Sequence, residues 1–355
     1  MPFPPTISPV PTAIAAFIGH TAKGPTGFQC VTSLAEFQSL FGKGLLGSRL
    51  AASTLPGYLT ESVALFFLNG GETAYIYSLG SRKVGSATPF LEALTALERL
   101  PEPTLLTFPD AVLLDTAPLE SVQLAALAHC AKQRNRFCLL DVPAATSLPL
   151  RAPLTGDNLS YGALYGPWLK LASGETLPAS GAVAGVCARV DRERGVWKAP
   201  ANTEVRGIAG VTETYTEREV ERVNALRVFA GKGVLVWGSR TLATSDNEWR
   251  YVPVRRLSLM VEESLRRGLA GLAFEPNDAK TWAQTRSLVE SFLMGLWRQG
   301  ALLGTKPEQA FFVKVGLGTT MTAQDVAAGR LVLEVGLAPA RPAEFIILRL
   351  TLKTS

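Results

Sequence analysis

Residues that carry metal and proton chemistry are scarce in this chain of 355 residues: it holds two histidines, His20 and His129, and four cysteines, Cys30, Cys130, Cys138 and Cys187. Neither histidine has a cysteine or carboxylate at metal-ligand spacing, and no CxxC pair exists, which argues against a metal site. The cysteines read instead as free thiols in a reducing compartment. Charged residues make up only 18% of the chain, and Lys and Arg are scattered, so the net charge of +5 forms no basic stripe for nucleic acid. No segment approaches the roughly 18 apolar residues of a membrane helix. The stretch "TAIAAFIG" is too short for a secretion signal and lacks its basic leader. These absences predict a chain without cofactor, metal, nucleic acid or membrane, made and kept in the cytoplasm.

Catalytic signatures are missing as well. No GxGxxG follows a strand, no GxxxxGK[ST] phosphate loop occurs, and no GxSxG nucleophile elbow is present. The two GKG triplets, at 42–44 and 231–233, sit where helices end or turn into strands, and tight turns explain both. What the chain has in quantity is apolar surface, 47% hydrophobic residues. That is a high share for an ordinary soluble surface, and it fits a protein partly covered by partners. The length exceeds one ordinary core, so two domains are expected.

Five prolines in Met1–Pro11 favour extended backbone and predict an arm. Beyond it the pattern alternates. "TAIAAFIGH" reads as a buried strand, and "SLAEFQSLFG" as a helix capped by Ser33 and stopped by Gly42. "TESVALFFLNGG" reads as a helix ended by Gly70 and Gly71, with a strand through Ala74 and Ile76 after it. Between Pro89 and Pro143, helix, strand, helix and strand follow in succession, the signature of a parallel βαβ unit. Residues 144–210, rich in Pro, Gly and Ser, read as loops, and "TETYTEREVERVNALRVFAGKG" as a helix with Thr216 and Glu219 in capping-box spacing, closed at Gly231. "GVLVWGSRTL" reads as a strand.

The last hundred residues differ in texture. Two amphipathic helices, "VRRLSLMVEESLRRGLA" and "NDAKTWAQTRSLVESFLMGLWRQG", precede three strand candidates, "AFFVKVG", "RLVLEVGLA" and "EFIILRLTLK". The second helix, capped by Asn277 or Asp278, puts Trp282, Val289, Phe292, Leu293 and Leu296 on one face. Lys280, Arg286, Glu290 and Arg298 are left as outward candidates. A compact α+β domain is therefore expected after an α/β domain, divided near 245–255: arm 1–11, outer domain 12–250, C-terminal domain 251–343 and terminal strand arm 344–355. In the terminal strand, Ile346, Leu348, Leu350 and Leu352 alternate with Ile347, Arg349, Thr351 and Lys353. In "ARVDRERG", Arg189, Asp191, Arg192, Glu193 and Arg194 alternate in sign beside a glycine. Ion pairing at an interface or within the chain explains that pattern better than acid–base catalysis. Trp249, Arg250, Tyr251, Arg255 and Arg256 in "DNEWRYVPVRR" combine aromatics and arginines as protein interfaces do.

The blocks "SGAVAGVCARVDRERGVWKAPAN", "GVLVWGSRTLATSDNEWRYVPVRRLSLMVEESL", "FEPNDAKTWAQTRSLVESFLMGLWRQGALLGTKPEQAFFVKVG" and "GRLVLEVGLAPARPAEFIILRL" resemble contractile tail sheath proteins of phages, tailocins and phage-tail-like extracellular injection particles. The likeness spans about 12–352 and is densest from 181 onward. It implies a two-domain tail-sheath fold, α/β and α+β, with terminal arms exchanged between subunits. It further implies hexameric rings stacked helically on an inner tube, contraction without catalysis, and partners among its own copies, the tube, baseplate and tail terminator proteins and sister sheath proteins. Assembly would take place in the bacterial cytoplasm before the particle is released. Many relatives begin with a longer, strand-forming arm, whereas only Met1–Pro11 precedes the first buried strand here, so the C-terminal segment Phe345–Leu352 is the expected exchanged strand. The contrasting reading is a cytosolic α/β enzyme or nucleotide-binding protein using 89–143.

Overall fold

The computed structural model describes residues 6–43, 57–80, 85–143, 154–216, 222–246, 248–340 and 346–353. The chain divides into two compact units, Pro11–Arg255 and Met1–Val10 with Arg256–Ser355.

In the first unit the elements run β1 (Ala15–Gly19), β2 (Phe28–Val31), α1 (Leu34–Phe41), α2 (Leu59–Leu68), β3 (Ala74–Ser78), α3 (Thr88–Leu97), β4 (Leu105–Thr107), α4 (Thr116–Gln133), β5 (Phe137–Asp141), β6 (Gly162–Gly166), β7 (Leu169–Lys170), β8 (Thr176–Leu177), α5 (Ser180–Arg194), β9 (Thr203–Glu204), β10 (Gly210–Val211), β11 (Asn224–Phe229) and β12 (Gly233–Val236). Nine strands form one sheet in the order β2-β3-β1-β4-β5-β6-β11-β12-β9. The run β3-β1-β4-β5-β6-β11 is parallel, with antiparallel strands at both edges. Such a sheet is covered on both faces, which is why β1 and β5 are buried at every residue and read as continuous apolar runs. On one face α3 and α4 bring Phe90, Leu94, Leu97, Leu119, Val122 and Ala126 onto Ala16, Ile18, Leu106 and Leu140. On the other, Phe17 of β1 and Phe66 of α2 meet edge to face with centroids 5.4 Å apart.

α5 lies in a stretch whose composition reads as loop. It lacks a polar face because Ser180 through Val190 are all buried, so the amphipathic period that marks a surface helix is absent. Its glycines are what let it in. A Cβ on Gly181 would stand 2.6 Å from the Ser62 carbonyl oxygen, and one on Gly185 would stand 2.4 Å from the Phe66 carbonyl oxygen, so α5 meets the backbone of α2 directly. The expected helix of "TETYTEREVERVNALRVFAGKG" is also corrected. Residues 217–221 lie outside the described residues, while Asn224–Phe229 is a strand paired with both β6 and β12, and Gly231 and Gly233 take positive φ in the hairpin turn. Cross-strand pairing wins there over helical spacing.

Buried polar groups are tied to backbone. Arg136, fully buried, donates to the Leu97 and Leu100 carbonyls at 3.2 and 2.6 Å and to Asn135 Oδ1 at 2.9 Å, and it lies 3.1 Å from His129 Nε2. Burial and that guanidinium push His129 down to about 4. Asp141, at the end of β5, accepts the Ser180 N–H at 2.7 Å and so holds the first turn of α5, while burial pushes its carboxyl up to about 7.

The second unit contains α6 (Val252–Gly268, whose first turn belongs to the first unit), a 3-10 turn at Ala270–Phe274, α7 (Ala279–Arg298), α8 (Pro307–Ala310), β13 (Phe311–Val315), α9 (Ala323–Ala327), β14 (Arg330–Leu337) and β15 (Ile346–Lys353). Residues 6–10 of the proline arm belong to this unit: Ile7 seats on Gly268, and the Val10 N–H donates to Ser264 Oγ at 3.0 Å. The three strands form an antiparallel sheet in the order β13-β14-β15. α7 starts at Asp278, whose carboxylate accepts the Thr281 N–H at 2.9 Å, and buries Val289, Phe292, Leu293 and Leu296. No helix among the described residues is long and apolar enough to cross a membrane.

Two helical glycines should answer substitution with opposite signs. Gly185→Ala is expected to destabilise by about 1–3 kcal/mol, because a backbone neighbour cannot yield, although alanine is the better helix former. Gly295→Ala on α7, where a Cβ meets open space, is expected to stabilise by up to ~1 kcal/mol. Urea unfolding of both variants checks the pair.

A second prediction concerns pH. Between about pH 4 and 7 folded Asp141 keeps a proton that the unfolded chain releases, so this group lowers stability as pH rises. Between about pH 6.5 and 4 folded His129 refuses a proton that the unfolded chain accepts, so it lowers stability as pH falls. Relative to the parent, Asp141→Asn should gain stability with rising pH and His129→Gln with falling pH, each by ~1.4 kcal/mol per pH unit at most. Denaturation midpoints from pH 4 to 7 would expose a wrong sign.

Candidate assembly surfaces

The terminal sheet is built around β14. β13 pairs with it from Phe311↔Leu337 to Val315↔Leu333, and β15 pairs along its whole length from Arg330↔Lys353 to Leu337↔Ile346. Phe311, Val313, Val315, Leu331, Leu333, Val335, Leu337 and Leu350 are buried on the face toward α7. In the single chain the expected exchange strand therefore occupies the outer slot beside β14. Phe345 falls outside the described residues, and Ile346, Ile347, Leu348, Arg349, Leu350, Thr351 and Leu352 all stand in the ladder.

On the other face of that sheet is a charge row the sequence reading did not pick out. Lys314 of β13 reaches Glu334 of β14 at 3.6 Å and lies 4.7 Å above the Phe312 ring. Arg349 of β15 stands opposite Glu334 in register. The signal was present as strand alternation, but pairing these residues needed the registers of three strands.

Lys280, Arg286, Glu290 and Arg298 are all exposed on α7. They do not form one stripe. At 100° per residue Lys280 and Arg298 share an azimuth five turns apart, while Glu290 and Arg286 lie toward the flank. Arg286 Nη2 is 3.4 Å from the Val315 carbonyl. Trp282, expected on the apolar face, is half buried and donates from Nε1 to Asn277 Oδ1 at 2.7 Å.

The residues of "ARVDRERG" occupy the end of α5 and point to different neighbours. Arg189 is buried and donates to the Glu204 carbonyl, and burial, then the Arg206 charge, lowers its basicity. Asp191 accepts the Thr12 hydroxyl at 2.6 Å. Arg192 donates to the Gly70 carbonyl at 3.0 Å and pairs with Glu72 at 2.8 Å. Arg194 is exposed.

The crevice at the carboxyl ends of β1 and β4, where the strand order reverses, is where nucleotide-binding α/β sheets hold phosphate. Here a carboxylate already sits on the donors. Asp110 accepts the N–H groups of His20 and Tyr58, and its Oδ2 lies 2.6 Å from where a Gly19 Cβ would be. An anion entering the crevice would find those two N–H groups already engaged.

Two family models match the chain: the phage tail sheath protein central domain over residues 86–242, and the phage tail sheath C-terminal domain over 244–353. A chain of the six-fold symmetrised anti-feeding prophage baseplate is 32% identical, with TM-score 0.79, over 99% of this chain and 96% of that one. The sheath complex of the extracellular contractile injection system PVC, in its contracted state, is 31% identical, with TM-score 0.78, over 98% and 94%. A major tail sheath protein assigned to a prophage of Pseudomonas aeruginosa is 30% identical over 36% of this chain, a stretch spanning 35% of that protein's own length. Sequence blocks, the two-unit fold and near full-length structural likeness agree, and this chain belongs to the phage tail sheath protein family.

Proposed function

We propose that the chain is the structural subunit of a contractile sheath, assembling as stacked hexameric rings around an inner tube and shortening to drive that tube through a target envelope. The carrying observation is the likeness over 98–99% of the chain, at 31–32% identity, to chains from two contractile particles. Baseplate, tail terminator and sister sheath proteins are the remaining partners, and assembly precedes release of the particle from the bacterial cytoplasm. The energy of contraction resides in interfaces packed at assembly. Asp110, seated on the donors of the switch-point crevice, weighs against the nucleotide-binding alternative.

In this reading β15 is exchanged between copies. A swapped element fills in the neighbour the slot it fills in the closed monomer, so pairing of β15 with its own β14 is the arrangement a swap would reproduce between chains. Main-chain pairing suits a lattice that rearranges, since it persists while side-chain contacts change. Exposed Lys280, Arg286, Glu290 and Arg298 supply a tube contact that salt weakens and firing can release. Arg189, Asp191, Arg192 and Arg194 serve ion pairing in the chain or at a subunit interface.

Co-expression with the tube protein of the same operon should give ribbed cylinders in negative stain; a discrete particle stabilised by nucleotide would overturn the reading. Truncation after Ala343 is expected to leave a folded, soluble subunit that builds no cylinders. Outright unfolding would assign β15 to its own core, and normal sheaths would place the tether elsewhere. Reversal of Lys280 and Arg286 to Glu should impair sheath growth on tubes with an unchanged melting curve, since exposed ion pairs contribute only about 0–1 kcal/mol. Undiminished growth would remove this helix from the tube contact.

A further inference from the structure

The apolar face of β15 does not by itself fix where the strand sits. Ile346, Leu348, Leu350 and Leu352 stand opposite Leu337, Val335, Leu333 and Leu331. Both sets are aliphatic at every position, so sliding β15 by two residues again sets aliphatic against aliphatic, with two of the eight residue pairs lost. A one-residue slip turns the strand over and is excluded by burial. A two-residue slip is not.

The other face does discriminate. In the observed register Arg349 is opposite Glu334, Ile347 opposite Gly336 and Thr351 opposite Val332. A slip in one direction sets Arg349 against Val332 and Ile347 against Glu334, and a slip in the other sets Arg349 against Gly336 and Thr351 against Glu334. Either removes the one opposite-charge pairing between these strands. Glu334 is also held from the β13 side: its carboxylate is 3.6 Å from Lys314, whose ammonium lies over the Phe312 ring, and that ring covers Gly336, where a Cβ would be 2.1 Å from it. The row has one counterweight, because Lys353 stands opposite Arg330. The Arg330 guanidinium is engaged at 2.7 Å by Asp325, whose carboxyl is held down to about 2 by the Thr322 cap and this arginine.

We propose that Glu334, positioned by Lys314, is the register key for the terminal strand, accepting Arg349 and rejecting two-residue slips when β15 is seated. Its value to assembly rests on the exchange proposed above. A lattice of identical subunits, each donating the same strand, would accumulate misfits if a fraction of strands seated two residues out, whereas an isolated chain would tolerate them.

The test reads register directly. In a Cys30→Ser background, which removes the exposed thiol, cysteines at Val332 and Thr351 report the observed register after treatment with a short bifunctional thiol reagent. Cysteines at Arg330 and Thr351, or at Val332 and Lys353, report the two slips and leave Arg349 and Glu334 in place. With Glu334 intact, the 332–351 pair should dominate. Glu334→Lys should raise cross-linking of the 332–353 slip pair roughly five-fold or more, the scale of a cross-strand charge pair made repulsive. Adding Arg349→Glu to Glu334→Lys should restore the 332–351 pair. Unchanged ratios in Glu334→Lys, or no restoration by the second change, would overturn the key. Non-reducing gels of assembled particles answer the other question separately: cross-links joining two chains support exchange, and cross-links confined to one chain sink the exchange reading while leaving the register result to stand or fall by itself.

Discussion

Backbone pairing along β14 is the constraint on which the C-terminal unit depends. Each of its eight residues has a partner in β15, and five are also paired with β13. Its inward side chains Leu331, Leu333, Val335 and Leu337 are fully buried, each worth about 1.5–3 kcal/mol of burial. Without the outer strand, that ladder and those aliphatic groups would be left half covered. The helix α7 has its own apolar face to bury and finds it on this sheet. Backbone pairing of this kind is non-local and indifferent to most side-chain chemistry, so by itself it does not say where along the ladder a strand belongs.

The N-terminal unit solves a different problem. Its parallel sheet needs cover on both faces, and the side facing α2 and α5 is reached only because Gly181 and Gly185 let two helix backbones touch. The polar groups caught inside are answered by backbone: Arg136 by two carbonyls, Asp141 by the first turn of α5, Asp110 by two N–H groups. Each of these side chains has the look of chemistry, a buried ionisable group with a strongly bonded head. Each is spent on holding chain segments together. A doubly wound sheet supplies a crevice, and the function depends on what fills it.

Most of the fold was legible in the sequence where local pattern and final environment agree. The period of two in "EFIILRLTLK", the capping of α1 by Ser33, and the βαβ succession between Pro89 and Pro143 are local signals, and each element forms where the spacing puts it; for α7 the sequence offered Asn277 or Asp278, and Asp278 is the cap. The sequence blocks also carried the family. The charged candidates were identified as residues, but their surroundings were not: Arg189 is buried while Arg194, five residues further along the same helix, is exposed.

What only the tertiary structure decided is what depends on neighbours distant in the chain. α5 is invisible to amphipathic analysis because it is buried all round, and its glycines, which lower helix propensity, are required by the approach of α2. Asn224–Phe229 has helix-compatible spacing but lies between two strands whose unpaired backbone groups it satisfies, and hydrogen bonding across a sheet outweighs a local preference worth tenths of a kcal/mol per residue. Glu334 and Lys314 lie twenty residues apart and Glu334 and Arg349 fifteen, so their common row exists only once three strands have taken their register. The sequence by itself determined the family and those elements whose local period matches their final surroundings, because these rest on local periodicity and ordered blocks. Burial, close approach and register were set by the fold, because each is a relation between segments that a linear pattern does not contain.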